Sequence, residues 1–149
     1  MNAPIPDSIE AAVLSGDLPA ALAATLAHFG CQAGTIHLLR EGVLSLAAHQ
    51  GIPAPVVEIV ETVPIGKGIA GLAAERREPI TICNLQTDTS GQARPGAKAT
   101  GMEGSLAVPM LAANELRGVL GIAKAGAYDW SDAETSLLLA VATRVGDLA

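Results

Sequence analysis

The stretch Val63–Asp88, VPIGKGIAGLAAERREPITICNLQTD, constrains the fold more than any other part of the chain, together with its downstream companion Gly104–Lys124, GSLAVPMLAANELRGVLGIAK. Glycines 66, 68 and 71 introduce a short helix over residues 68–75, flanked by strand segments at 61–64 and 79–83. A polar loop follows, and then two apolar strands joined through Ala112-Ala113-Asn114-Glu115 as a hairpin. A hairpin beside short strands and helices specifies an α+β sheet and excludes an all-parallel one.

The flanks supply the remaining elements. Residues 1–16 read as a helical extension opened by Asp7 or Ser8. Asp17 then caps LPAALAATLAHFG, with Pro19 in the first turn, Gly30 as the stop, and Leu18, Leu22, Leu26 and Phe29 at helical spacing. Residues 34–51, GTIHLLREGVLSLAAHQG, read as a hairpin turning at Glu41-Gly42, and Pro53–Val60 as a short helix. Ser131 and Glu134 form a capping box for a C-terminal helix over 131–149, whose Leu137, Leu138, Val141, Ala142, Val145 and Leu148 make a broad apolar face. Between the last two β segments of the sequence's middle, residues 84–102 carry no apolar period and are expected to form a lid loop.

A chain of 149 residues fits one domain, residues 1–149, that buries roughly 70% of its unfolded surface. Its apolar half is aliphatic, with Phe29, Tyr128 and Trp130 as the aromatic residues, so few flat rings are available for stacking a base or a chromophore. A net charge of −6 disfavours nucleic acid and anionic lipid. No apolar run approaches the roughly 20 residues of a membrane span, and the N-terminus lacks a signal pattern. With Cys31 and Cys83 too few for a disulfide framework, a cytoplasmic location is expected.

Gly66, Gly68 and Gly71 satisfy the G-x-G-x-x-G fingerprint of dinucleotide binding, with Asp88 downstream. That fingerprint requires a long parallel strand and a crossover helix, whereas the strand here is short and contains Pro64. The glycines are better read as permitting a tight turn and close helix packing, and Lys67 as a solvated charge. A two-residue turn at Glu41-Gly42 sets Leu39 opposite Leu44 and His37 opposite Leu46, and sends His49 to the other face. The histidines then do not converge on a metal, and no C-x-x-C or H-x-x-x-H spacing occurs.

The segments Val63–Gly71, Pro79–Asp88, Ser105–Met110, Leu116–Ala123 and WSDAETSLL from Trp130, in this order, resemble the GAF domain family of small-molecule sensors, over about Leu18–Leu148. The resemblance implies an antiparallel sheet of about six strands, with dimerising terminal helices on one face and short helices plus the lid loop over the other. It implies a ligand pocket on that second face; the cavity is expected between the sheet and residues 84–102, lined by Ile65, Ile69, Ile82, Cys83, Met102, Ser105 and Ala107, with Asp88, Arg94, Lys98 and Thr100 orienting the ligand. The family includes the free methionine-R-sulfoxide reductase, whose paired cysteines are not matched here: Ala70 stands at the first position, and the loop before Ser105 has no cysteine. Covalent bilin attachment lacks its cysteine, and the cyclic-nucleotide signature is matched only by Lys124, Tyr128 and Asp132. The Lys124–Asp132 pair is expected instead to brace a strand–helix corner.

The expectation is therefore a sensor domain without catalysis and without a metal. It would bind a small molecule of unassigned identity, with no assigned cofactor, and signal as a homodimer through the terminal helices. A reductase-like enzyme and a domain that only dimerises are the alternatives.

Overall fold

The computed structural model describes residues 5–89 and 100–148. Its elements are α1 (Asp7–Leu14), α2 (Leu18–Phe29), β1 (Ala33–Arg40), β2 (Val43–Gln50), α3 (Ala54–Val60), β3 (Thr62–Pro64), α4 (Gly68–Arg76), β4 (Ile80–Ile82), β5 (Gly104–Ala112), β6 (Glu115–Lys124) and α5 (Asp132–Gly146). The strands form one six-stranded sheet in the order β3-β2-β1-β6-β5-β4, and every neighbouring pair is antiparallel.

Local chemistry sets the boundaries. The Asp17 carboxylate accepts from the Ala20 amide at 3.1 Å, and Gly30 ends α2 in the left-handed region at φ 66°. In α5 the Ser131 hydroxyl accepts from the Glu134 amide at 3.1 Å, while the Glu134 carboxylate accepts from the Ser131 amide at 2.9 Å. Both hairpins turn on two residues of positive φ, Glu41-Gly42 and Ala113-Asn114, the geometry that matches strand twist. Pro109 lies in β5 beyond Ala107, where pairing with β4 has ended, so its missing N–H breaks no ladder bond on that edge.

The sheet separates two cores. On one face α1, α2 and α5 pack Ile9, Leu22, Leu26, Leu138, Val141 and Val145 against Ile36, Leu106, Val108 and Leu120. On the other, Leu44, Ile69, Ala73, Ile80, Ile82, Leu85 and Val119 meet around α4. This is the expected division of helices between the faces.

Two expectations are corrected. Leu138 and Val145, taken as part of a dimer surface, are 0% and 1% exposed within a single chain. Because α5 lies on β5 with α1 and α2 beside it, Leu138, Val141, Ala142 and Val145 are covered within one chain, while Leu137 is half-buried and Leu148 stays exposed. The second correction is His49, which pairs with Thr35 and shares the face of His37. A bulge between Ile36 and His37 leaves Ala47 unpaired on β2, and one extra residue reverses the alternation beyond it. His49 is exposed.

Candidate functional site

A cavity of about 670 Å³ opens on the sheet face opposite α1, α2 and α5. Its floor is the inward face of β1, β5 and β6, where Thr35, His37, Ser105, Ala107 and Gly121 lie side by side across the ladder. Its walls are α3, through Val56, Ile59 and Val60, and the β3–α4 connection, through Val63, Lys67, Ile69 and Ala70. Leu85 and Thr100 close the remaining side. Small floor residues create the space. At Gly121 a β-carbon would meet nothing closer than the Thr35 hydroxyl, at 3.3 Å.

The glycine motif shapes the wall. Gly66 has φ 87° and its amide donates to the Gly71 carbonyl at 2.8 Å. A β-carbon on Gly71 would lie 2.5 Å from the Pro64 carbonyl oxygen, so α4 approaches β3 this closely only with glycine there.

His37 is the polar group that sequence reasoning set aside. It is 2% exposed, and its Nε2 donates to the Val60 carbonyl at 2.8 Å, tying β1 to the end of α3. Nδ1 is buried and has no partner among the described residues. Burial holds the imidazole pKa below its ordinary value, and the Val60 bond opposes this more weakly. Its signal in the sequence was the period of β1, which puts Thr35 and His37 on one face.

Of the expected site residues, Ile69, Thr100, Ser105 and Ala107 line this cavity. Ile65, Ile82 and Met102 pack in the core around α4 and do not line it, while Cys83 is exposed and Asp88 half-buried, both away from the wall. Arg94 and Lys98 lie outside the described residues. The cavity was expected beneath residues 84–102, of which Leu85 and Thr100 line it; among the described residues α3, through Val56 and Ile59, and the β3–α4 turn line it as well. Lys67, expected as a solvated charge near the helix start, is exposed there, and it is the one charged side chain lining the cavity among the described residues.

Neither thiol is held in the activated form. Burial pushes Cys31 up to about 11. The exposed Cys83 is also raised, first by its hydrogen bond to the Asp129 carboxylate. Lys124 does not pair with Asp132. Its ammonium lies 4.2 Å from the centre of the Tyr128 ring and 5.8 Å from that of Trp130, and the Tyr128 hydroxyl donates to Glu134 at 2.6 Å. The β6–α5 corner is therefore braced by aromatic stacking and the capping carboxylate. Among the described residues no group of three or more His, Cys, Asp or Glu side chains could hold a metal ion, and no helix is long and apolar enough to cross a membrane.

Solved structures share this architecture. The GAF domain of a phosphoenolpyruvate-protein phosphotransferase from Acinetobacter superposes with a TM-score of 0.77 at 20% identity, covering 95% of this chain and 90% of that one. The free methionine-R-sulfoxide reductase of Neisseria meningitidis, in complex with its substrate, gives a TM-score of 0.77 at 16% identity, covering 99% and 93%. The type II reductase of Thermoplasma acidophilum gives 0.75 at 17%, covering 95% and 94%. Among curated proteins none matches the sequence significantly. The expectation of a chain without catalysis is overturned to this extent: its structural neighbours include free methionine-R-sulfoxide reductases, which are enzymes, alongside the phosphotransferase GAF domain. At these identities the likeness shows the fold alone. The GAF domain model matches residues 18–148, nearly the whole chain, and the chain belongs to the GAF domain family.

Proposed function

We propose that this GAF domain binds a small molecule in the cavity between the sheet and α3–α4, and that occupancy is passed through the sheet to α1, α2 and α5. The cavity carries the reading: its volume lies within the roughly 300–1,000 Å³ of small-molecule sites, and its lining is mostly aliphatic with a few polar groups. Thr35 and His37 face the cavity while Ile36 and Leu38 on the same strand pack in the opposite core. A ligand that shifts β1 therefore acts on both faces, and differential affinity for two packings biases the helices. A homodimer belongs to the same proposal. The apolar surface left for it includes Leu14 and Leu148, 71% and 41% exposed.

The test is a thermal-shift screen of small aliphatic and polar metabolites on the unmodified chain and on Gly121→Val. A β-carbon at Gly121 lies 3.3 Å from the Thr35 hydroxyl, a tight contact relieved by a shift of a few tenths of an ångström, and a side chain there occupies the cavity floor. A saturating ligand should raise Tm by about 5 °C or more in the unmodified chain, and this shift should vanish in the folded variant. Shifts that persist unchanged in Gly121→Val would place binding elsewhere.

A further inference from the structure

We propose that residues 52–59 form a strap that closes over the occupant of the cavity, and that Ile59 is the side chain the closure brings down onto it. This rests on the ligand-binding reading above and gives that site its moving part.

The strap is fixed at its two ends and loose between them. Gly51, at φ 72°, sits so close to the Gln32 carbonyl that a β-carbon there would collide with it, which pins the chain beside the start of β1. At the other end the His37 Nε2 donates to the Val60 carbonyl at 2.8 Å, and the Leu46 amide donates to the Glu61 carbonyl at 2.8 Å, next to the β2–β3 ladder. Between these anchors the backbone bonds only to itself. The Val56 and Val57 amides donate to the Pro53 carbonyl at 2.9 and 3.1 Å, and among the described residues no hydrogen bond from 52–59 crosses to another element. Of the seven residues of α3, Val56 alone is buried, and no side chain caps the helix. So short a helix does not hold its shape unaided. The neighbouring wall is different: α4 buries Ile69, Ala73 and Ala74 and is tied down by the Gly66–Gly71 bond. A segment with so few buried contacts opens at a lower free energy than the body it lies on.

Ile59 gives the direction of the motion. It lines the cavity and yet is 59% exposed, whereas the other large exposed apolar side chains, Leu14 and Leu148, belong to the helices of the opposite face. In the empty cavity the strap has nothing to settle on, and Ile59 stays in water. An aliphatic occupant supplies that surface, and an inward shift of the strap then removes Ile59 and the occupant from water together. Ile52, half-buried, lines the cavity from the strap's other end. The Val60 anchor hangs on β1 through His37, and Ile36 and Leu38 on either side of His37 pack in the opposite core. Closure therefore pulls on the strand that reaches the helix face.

Amide hydrogen exchange of the full chain, followed by NMR with and without 3-methylbutan-1-ol as an aliphatic probe, tests the strap. In the empty chain the Glu58, Ile59 and Val60 amides should exchange at least ~100-fold faster than those of Ala73 and Ala74 in α4. Binding of the probe, read from the Val56 and Ile69 methyl resonances, should slow the three α3 amides. Ile59→Ala, a change at an exposed position, should leave the Tm of the empty chain within about 2 °C and weaken the probe about tenfold. Exchange in α3 as slow as in α4 overturns the strap. Methyl shifts at Val56 and Ile69 with unchanged α3 exchange, and with undiminished affinity in Ile59→Ala, overturn it as well and leave the cavity reading standing. No methyl shift on the cavity side at millimolar probe overturns both.

Discussion

At the scale of single residues, His37 joins fold and site. It holds β1 to α3 through Val60 and remains uncharged because charging it would strand a cation in the core. Its native pKa lies below the value of about 6.5 that it has in the unfolded chain. As pH falls below about 6.5, the unfolded chain takes up a proton that the native one declines, so stability present above that pH is lost on acidification. Denaturant midpoints at pH 7.5, 6.5 and 5.5 should fall in that order, and His37→Phe should flatten the trend. An identical slope in the variant would show that other groups dominate. The position of this histidine was legible in the turn at Glu41-Gly42, which sets its pairing with Leu46. Its importance was not, because a buried imidazole with one satisfied nitrogen has no sequence motif. The bulge at Ala47 was equally invisible, and it misplaced His49.

At the scale of elements, the caps and turns of α2, α5 and both hairpins were readable because each rests on interactions within four residues. The roof of the cavity was not, since it depends on how α3 and the β3–α4 turn fold back over strands far away in sequence. That explains why Ile69, Ser105 and Ala107 were found and Val56, Val60 and Gly121 were missed. In α4, Gly71→Ala sets helix propensity against packing. Alanine gains up to about 1 kcal/mol in a helix interior, but its β-carbon would lie 2.5 Å from the Pro64 carbonyl oxygen. Overpacking of this kind costs typically ~1–3 kcal/mol, so a net loss of stability by urea unfolding is expected, and a more stable variant would refute the close approach. In α5, Leu138→Ala should cost about 2–5 kcal/mol in a chain of any oligomeric state, because Leu138 is fully buried in the monomer. A loss of less than about 0.5 kcal/mol, read from the same unfolding curves, would return Leu138 to an outer surface.

At the scale of the molecule, one sheet keeps two environments apart. The α1–α2–α5 side is filled with interlocking aliphatic side chains, while the α3–α4 side encloses open space above Thr35, His37 and Gly121. The order of motifs in the sequence was enough for this division, and the family match runs over residues 18–148. What the cavity takes is decided by side chains outside those motifs. The most direct measurement is methyl NMR of the 13C-labelled chain during titration with a metabolite that stabilises it in the thermal-shift screen. Binding in the cavity predicts first and largest shifts at Val56, Ile59, Ile69 and Leu85, with smaller, later changes at Leu138 and Val145 across the sheet. Saturable shifts confined to the helix face, or no shifts on the cavity side, would contradict a ligand site between the sheet and α3–α4.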